Sequence, residues 1–236
     1  MADQLFMSCE EPNDIVFELD LSNAAFPALE TVVSPATDGR GMGGINADDL
    51  FHSELDVNAF YKLDKTDLSS ILLGPTSTLP QNVQDMGGFN DRLFTIEAAG
   101  NIIAERNTTT FAIINSATGP GSVGIGIGGT TTALYAVNIG ETKIYKIDPD
   151  TLAPDGAGVS VASNPRGCGG AGSRLFMTTF SPNNIVELDP VTLLSLNGAG
   201  VGTPSNFKGR GIGGTKGGVA PPPAVAGVTG GSLYLN

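Results

Sequence analysis

Residues 166–190 read RGCGGAGSRLFMTTFSPNNIVELDP, and this stretch decides the fold. It opens on a glycine-rich run, Arg166-Gly167-Cys168-Gly169-Gly170. A Leu-aromatic run follows, Arg174-Leu175-Phe176-Met177-Thr178-Thr179-Phe180. It closes on an alternating β-branched run, Asn184-Ile185-Val186-Glu187-Leu188-Asp189. Such residue types, with turn signals between them, predict short antiparallel strands. A weaker fourth strand is expected at Thr192–Leu196.

The same three marks recur along the chain. Gly-Gly pairs stand at 43–44, 87–88, 128–129, 169–170 and 213–214, so the spacings are 44, 41, 41 and 44. Leu-aromatic pairs keep step at Leu5-Phe6, Leu50-Phe51, Leu93-Phe94, Leu134-Tyr135 and Leu175-Phe176. Asp20, Asp64, Asn107, Asp148 and Asp189 follow in register. A period of about 40–45 residues with four strands per unit is that of a propeller blade. The glycine-rich strand suits the innermost position, where blades converge and only small residues let backbones approach. The Asp marks are read as turn chemistry, because a carboxylate accepts the N–H two residues on and a following Pro presets φ. No segment holds a 3.6-residue period with caps, so almost no helix is expected.

The chain opens on a second-type strand, Gln4–Cys9, so the first unit lacks an inner strand. The last glycine-rich run, 210–214, has no unit after it. The economical solution is an all-β, five-bladed propeller in which 210–214 completes blade one. The ring is then closed by pairing of the N- and C-terminal segments, and no edge stays open between first and last blade. The expected division is a propeller over 1–214 and a Gly/Pro-rich tail over 215–236. The tail contains Pro221-Pro222-Pro223, suited to polyproline II, and ends on a strand-like segment, Ser232-Leu233-Tyr234-Leu235. That segment either folds back on its own ring or adds to a neighbour's sheet edge.

Composition narrows the function. Glycine is 33 of 236 residues, twice the usual share of about 7%. Acidic residues outnumber basic ones 24 to 12, and the net charge of −12 opposes binding to a phosphate backbone. No apolar run is long enough to insert in a membrane. The start, Met1–Phe6, has neither a basic nor a long apolar segment, so no signal peptide is expected. A virion or extracellular assembly is the expected setting.

Three inner strands begin with arginine, at Arg40, Arg166 and Arg210, with Gln84 and Ile125 at the equivalent positions. In a closed ring these gather at the channel mouth, on the face of the long loops 33–40, 73–84, 115–125, 155–165 and 197–209. Converging guanidiniums suit an anion, whereas pairing with nearby acids is the structural alternative. Glu10, Glu11, Asp14, Glu54, Asp56, Glu97 and Glu141 are read as a solvated acidic rim, with Ca²⁺ ligation as the alternative. His52 is read as a packed histidine, and Cys9 and Cys168 as buried free thiols. No catalytic residue, metal site or cofactor is assigned. Asn107-Thr108-Thr109 matches a glycosylation sequon, relevant only to a secreted eukaryotic chain.

The units, from the glycine-rich run to Ile185-Val186-Glu187-Leu188-Asp189-Pro190, resemble the repeats of NHL and YVTN-type β-propellers. They are also similar to those of glutaminyl-cyclotransferase-like propellers. The resemblance covers residues 4–214 and implies the fold. Such families include enzymes, lectin-like modules and scaffolds. The function expected here is a non-catalytic structural or interaction subunit of a larger assembly, with protein partners and self-association. The alternatives are a lectin-like propeller binding a glycan or small anion, and a lyase, lactonase or cyclotransferase-like enzyme. Low aromatic content and absent tryptophan weigh against sugar stacking. A single histidine weighs against acid–base catalysis.

Overall fold

The structure is a computed structural model. It describes residues 3–9, 15–33, 39–45, 49–54, 59–65, 67–72, 83–97, 99–161, 164–203 and 208–215, with backbone alone at 30–33, 70–72 and 215. The tail, with Ser232–Leu235, lies outside the described residues.

Among the described residues, twenty strands form five four-stranded antiparallel sheets. Blade one holds β1 (Gln4–Cys9), β2 (Ile15–Leu19) and β3 (Ala28–Val33). Blade two holds β4 (Gly39–Gly44), β5 (Leu50–Glu54), β6 (Ala59–Leu63) and β7 (Ser70–Leu72). Blade three holds β8 (Val83–Phe89), β9 (Arg92–Glu97), β10 (Ile102–Arg106) and β11 (Ile113–Thr118). Blade four holds β12 (Gly124–Gly129), β13 (Leu134–Asn138), β14 (Lys143–Ile147) and β15 (Val159–Ser160). Blade five holds β16 (Pro165–Ala171), β17 (Arg174–Thr179), β18 (Asn184–Leu188) and β19 (Val201–Gly202). The last strand, β20 (Gly209–Thr215), pairs with β1 and completes blade one. Ring closure by the two ends of the repeat region is as the strand count required.

The inner strands are β20, β4, β8, β12 and β16, packed edge to edge around the axis. Their closeness explains the Gly-Gly mark. A Cβ added to Gly43, Gly87, Gly128, Gly169 or Gly213 would lie within 3.0 Å of the next glycine's Cα, in a closed circle of five. The obstacle is backbone, which no rotamer change can relieve.

The Leu-aromatic mark has a different cause. Successive strand residues face opposite sides of a sheet, and each blade is packed between two others. Leu5 joins the cluster shared with blade five, and Phe6 the cluster shared with blade two. Leu134 faces blade three and Tyr135 faces blade five. Five such clusters fill the five blade–blade interfaces.

The Asp mark opens a turn. The Asp189 carboxylate accepts the N–H of Val191 and of Thr192, both at 2.8 Å. Asp148 and Asn107 repeat this arrangement. Four residues on stands an apolar residue with positive φ: Leu68 at 55°, Phe111 at 56°, Leu152 at 58° and Leu193 at 60°. Phe26 closes the longer first turn at 44°. These conformations cost roughly 1–3 kcal/mol each. Each side chain is buried against the preceding blade, which returns about 1.5–3 kcal/mol.

That turn corrects the expected fourth strand. Thr192–Leu196 is turn and bridge, not strand, because Leu193 must leave extended geometry to reach the core. The outer strand of blade five is instead β19. The expected loops shorten likewise. Span 115–125 contains the end of β11 and the start of β12, 155–165 contains β15, and 197–209 contains β19.

Candidate functional site

Each inner strand carries its second residue at the end where the outer strand feeds back to the axis. Arg210, Arg40 and Arg166 occupy this level on blades one, two and five, which are consecutive around the ring. Gln84 and Ile125 fill it on blades three and four. A bulge interrupts pairing with the second strand at this level in all five blades. The guanidinium of Arg166 lies over the Phe180 ring, 5.0 Å from its centroid, and Lys208 Nζ lies 5.6 Å from the same centroid. Burial lowers the pKa of Arg166, and the charge of Arg40 adds to that effect. Arg210 is lowered by burial as well. The carbonyls of Arg210 and Arg40 lie beside Gly167 and Gly211, so the three arginine backbones stand at one level around the axis.

One position deeper lies a residue that sequence reading passed over. The third inner-strand residue is Gly41, Gly126, Gly167 and Gly211 on four blades, but Asp85 on blade three. Asp85 is fully buried on the axis. Its Oδ1 accepts the N–H of Met86 at 2.9 Å and of Met42 at 3.3 Å. Its Oδ2 accepts the N–H of Ile127 at 3.0 Å and of Cys168 at 3.3 Å. One carboxylate thus takes the inward N–H groups of four of the five blades. Burial pushes the carboxyl well above its ordinary range, and the four N–H groups pull the other way. The available signal was the break in the repeat: an acid where the other units have glycine.

Asp85 divides the channel. On the opposite mouth lies a cavity of about 290 Å³ lined by Gly44, Gly88, Gly129, Gly170 and Gly214. Asn90, Asp91, Thr130 and Thr131 line it as well.

The remaining candidates resolve as packing groups. His52 is fully buried, its Nδ1 is 2.9 Å from the Gly41 carbonyl, and burial holds its pKa down to about 4. Cys9 and Cys168 are buried thiols outside any disulfide, as expected. The acidic rim needs correction. Glu54 and Glu97 end the second strands of their blades and are 2% and 1% exposed. Glu97 accepts a hydrogen bond from Arg106 at 2.6 Å inside the core, while Arg106 also donates to Thr95 and to the Phe111 carbonyl. Arg106 stands where the other third strands end in Leu19, Leu63, Ile147 and Leu188. Glu141 takes a hydrogen bond from Tyr145. Glu10, Glu11, Asp14 and Asp56 lie outside the described residues. Among the described residues no three His, Cys, Asp or Glu are grouped to hold a metal ion.

The outer strands differ between blades. β7, β15 and β19 have two or three residues, and β3 carries Glu30. β11 has six residues and no charge, with Ile113 and Ile114 47% and 61% exposed.

Comparison with protein-family models gives no match, and no curated protein matches in sequence. Solved structures do match. A chain of a nidogen–laminin complex superposes with a TM-score of 0.62 at 10% identity, covering 92% of this chain and 99% of that one. The chain is a β-propeller repeat protein. Glutaminyl cyclase from Myxococcus xanthus superposes at 0.61 with 14% identity, covering 77% and 84%. A Bacteroides caccae protein of unknown function reaches 0.50 at 8% identity, covering 83% and 72%. The fold is thus shared by an enzyme and by a chain of a protein–protein complex.

Proposed function

We propose that this propeller is a non-catalytic interaction subunit that joins protein partners, its own copies included, by strand addition. The observation that carries the reading is β11. Natural edge strands are kept short, charged or covered, because an open edge recruits other chains. β11 is long, uncharged and outermost in its sheet. Among the described residues its backbone pairs with β10 on one side only. An extended partner segment would gain ladder hydrogen bonds and cover Ile113 and Ile114.

The donor proposed is Ser232-Leu233-Tyr234-Leu235 of a second copy. It lies beyond a 16-residue connection from Thr215, which spans up to about 50 Å when extended. Light scattering and electron microscopy on three proteins test this: the full chain, a chain ending at Gly218, and the full chain with Ile114→Lys. Assemblies from the full chain alone are expected. A full chain that stays monomeric at high concentration overturns the reading.

A further inference from the structure

The arginine mouth has features that ring packing alone does not require. Four of the five blades keep glycine at the third inner-strand position, because the neighbouring backbone leaves no room. The second position is free of that constraint, since Ile125 and Gln84 are accommodated there. Three guanidiniums gathered at one level of the axis present a positive field to which an oxyanion is complementary.

The arrangement is also asymmetric. Arg166, Arg210 and Arg40 form an arc over one side of the axis, and Gln84 and Ile125 complete the level on the other side. Arg166 is held on Phe180, which fixes its plane, and its Nε is buried and makes no hydrogen bond. Lys208 shares the same ring. Asp85, one residue deeper, is already occupied by four backbone N–H groups, and its burial favours the neutral form. The axis therefore has an acid at its centre that is internally satisfied, beneath an arc of cations.

We propose that Arg40, Arg166 and Arg210 form a binding site for an oxyanion, a carboxylate or phosphate group carried by a small molecule or a partner. Guanidinium forks match the two oxygens of such groups, and three forks from three blades grip one anion from several directions. Lys208 adds a point charge at the rim, and the Phe180 ring keeps Arg166 oriented. The site is independent of strand addition at β11, which lies on the outer circumference of the ring.

Isothermal titration of the full chain with inorganic phosphate and, separately, with citrate tests the site. One saturable event is expected with at least one of them, and the responding probe identifies the preferred oxyanion. Arg166→Gln and Arg210→Gln should each weaken it about tenfold or more, equivalent to ~1.4 kcal/mol. Arg166→Lys, which keeps the charge and loses the fork, should weaken it less than Arg166→Gln. Thermal melting of each variant checks folding, and Lys62→Gln on the outer part of blade two should leave binding unchanged. No saturable binding of either probe up to about 10 mM, or equal affinity in the wild type and a folded Arg166→Gln, overturns the proposal.

Discussion

The Asp85 carboxylate crosses the ring axis and accepts the backbone N–H of Ile127, on the next blade, at 3.0 Å. Together with its bonds to Met42, Met86 and Cys168, it ties four blades through one side chain. Inner-edge N–H groups of four blades are thereby satisfied on one buried carboxylate.

Stability should therefore depend on pH through Asp85. Its folded pKa lies above its unfolded value, so the native state binds the proton more tightly. The associated stability is full below the unfolded pKa and is lost as pH rises through the folded one. Urea unfolding across the pH range above about 4 should show midpoints falling with pH in the wild type and a flatter profile in Asp85→Asn. Equal slopes would mean that the carboxyl is ionised throughout.

His52 acts with the opposite sign. Its pKa falls from 6.5 to about 4 on folding because burial disfavours the cation. Stability should decline as pH drops from 6.5 towards 4, by about 3 kcal/mol at most. His52→Met places at this position the residue found at Met7 and Met177. That variant should lose the acid-side decline, measured as the wild-type-minus-variant difference in unfolding free energy.

The glycine circle gives a steric prediction. Gly87→Ala directs a methyl group at the Gly128 backbone. Relief requires two blades to separate, at a cost of about 3 kcal/mol or more. Denaturant melts should show this loss, and a variant as stable as wild type would show that the ring is looser than drawn.

The Glu97–Arg106 pair predicts a non-additive result. Both side chains are about 1–2% exposed. Glu97→Gln leaves a buried cation without its counter-ion and should cost about 3–5 kcal/mol. Arg106→Leu alone strands the acid. The double variant Arg106→Leu with Glu97→Val should recover most of the stability, since other blades fill the Arg106 position with Leu or Ile. A double-mutant cycle on unfolding free energies measures this coupling.

The repeat was legible because its three marks come from forces that act identically in every blade. Backbone crowding at the axis selects Gly43, Gly87, Gly128, Gly169 and Gly213. Burial on both sheet faces selects Leu5-Phe6 and its equivalents. Turn closure selects Asp148 and Asp189. Period and strand count then determine the number of blades and the pairing of β20 with β1. What the sequence could not show was where single residues break the pattern to meet something distant. Asp85 replaces one glycine in five, yet its four partners come from strands up to 83 residues away. Arg106 replaces one leucine in a strand, and only its burial beside Glu97 separates a core ion pair from a solvated rim. Leu193 read as a strand residue, but tertiary packing turns it, like Leu152, into a left-handed plug. Local propensity is set by neighbours along the chain, whereas charge, burial and strain are set by neighbours in space. The blades belong to the first kind, and the plugged axis, the buried pair and the arginine arc belong to the second.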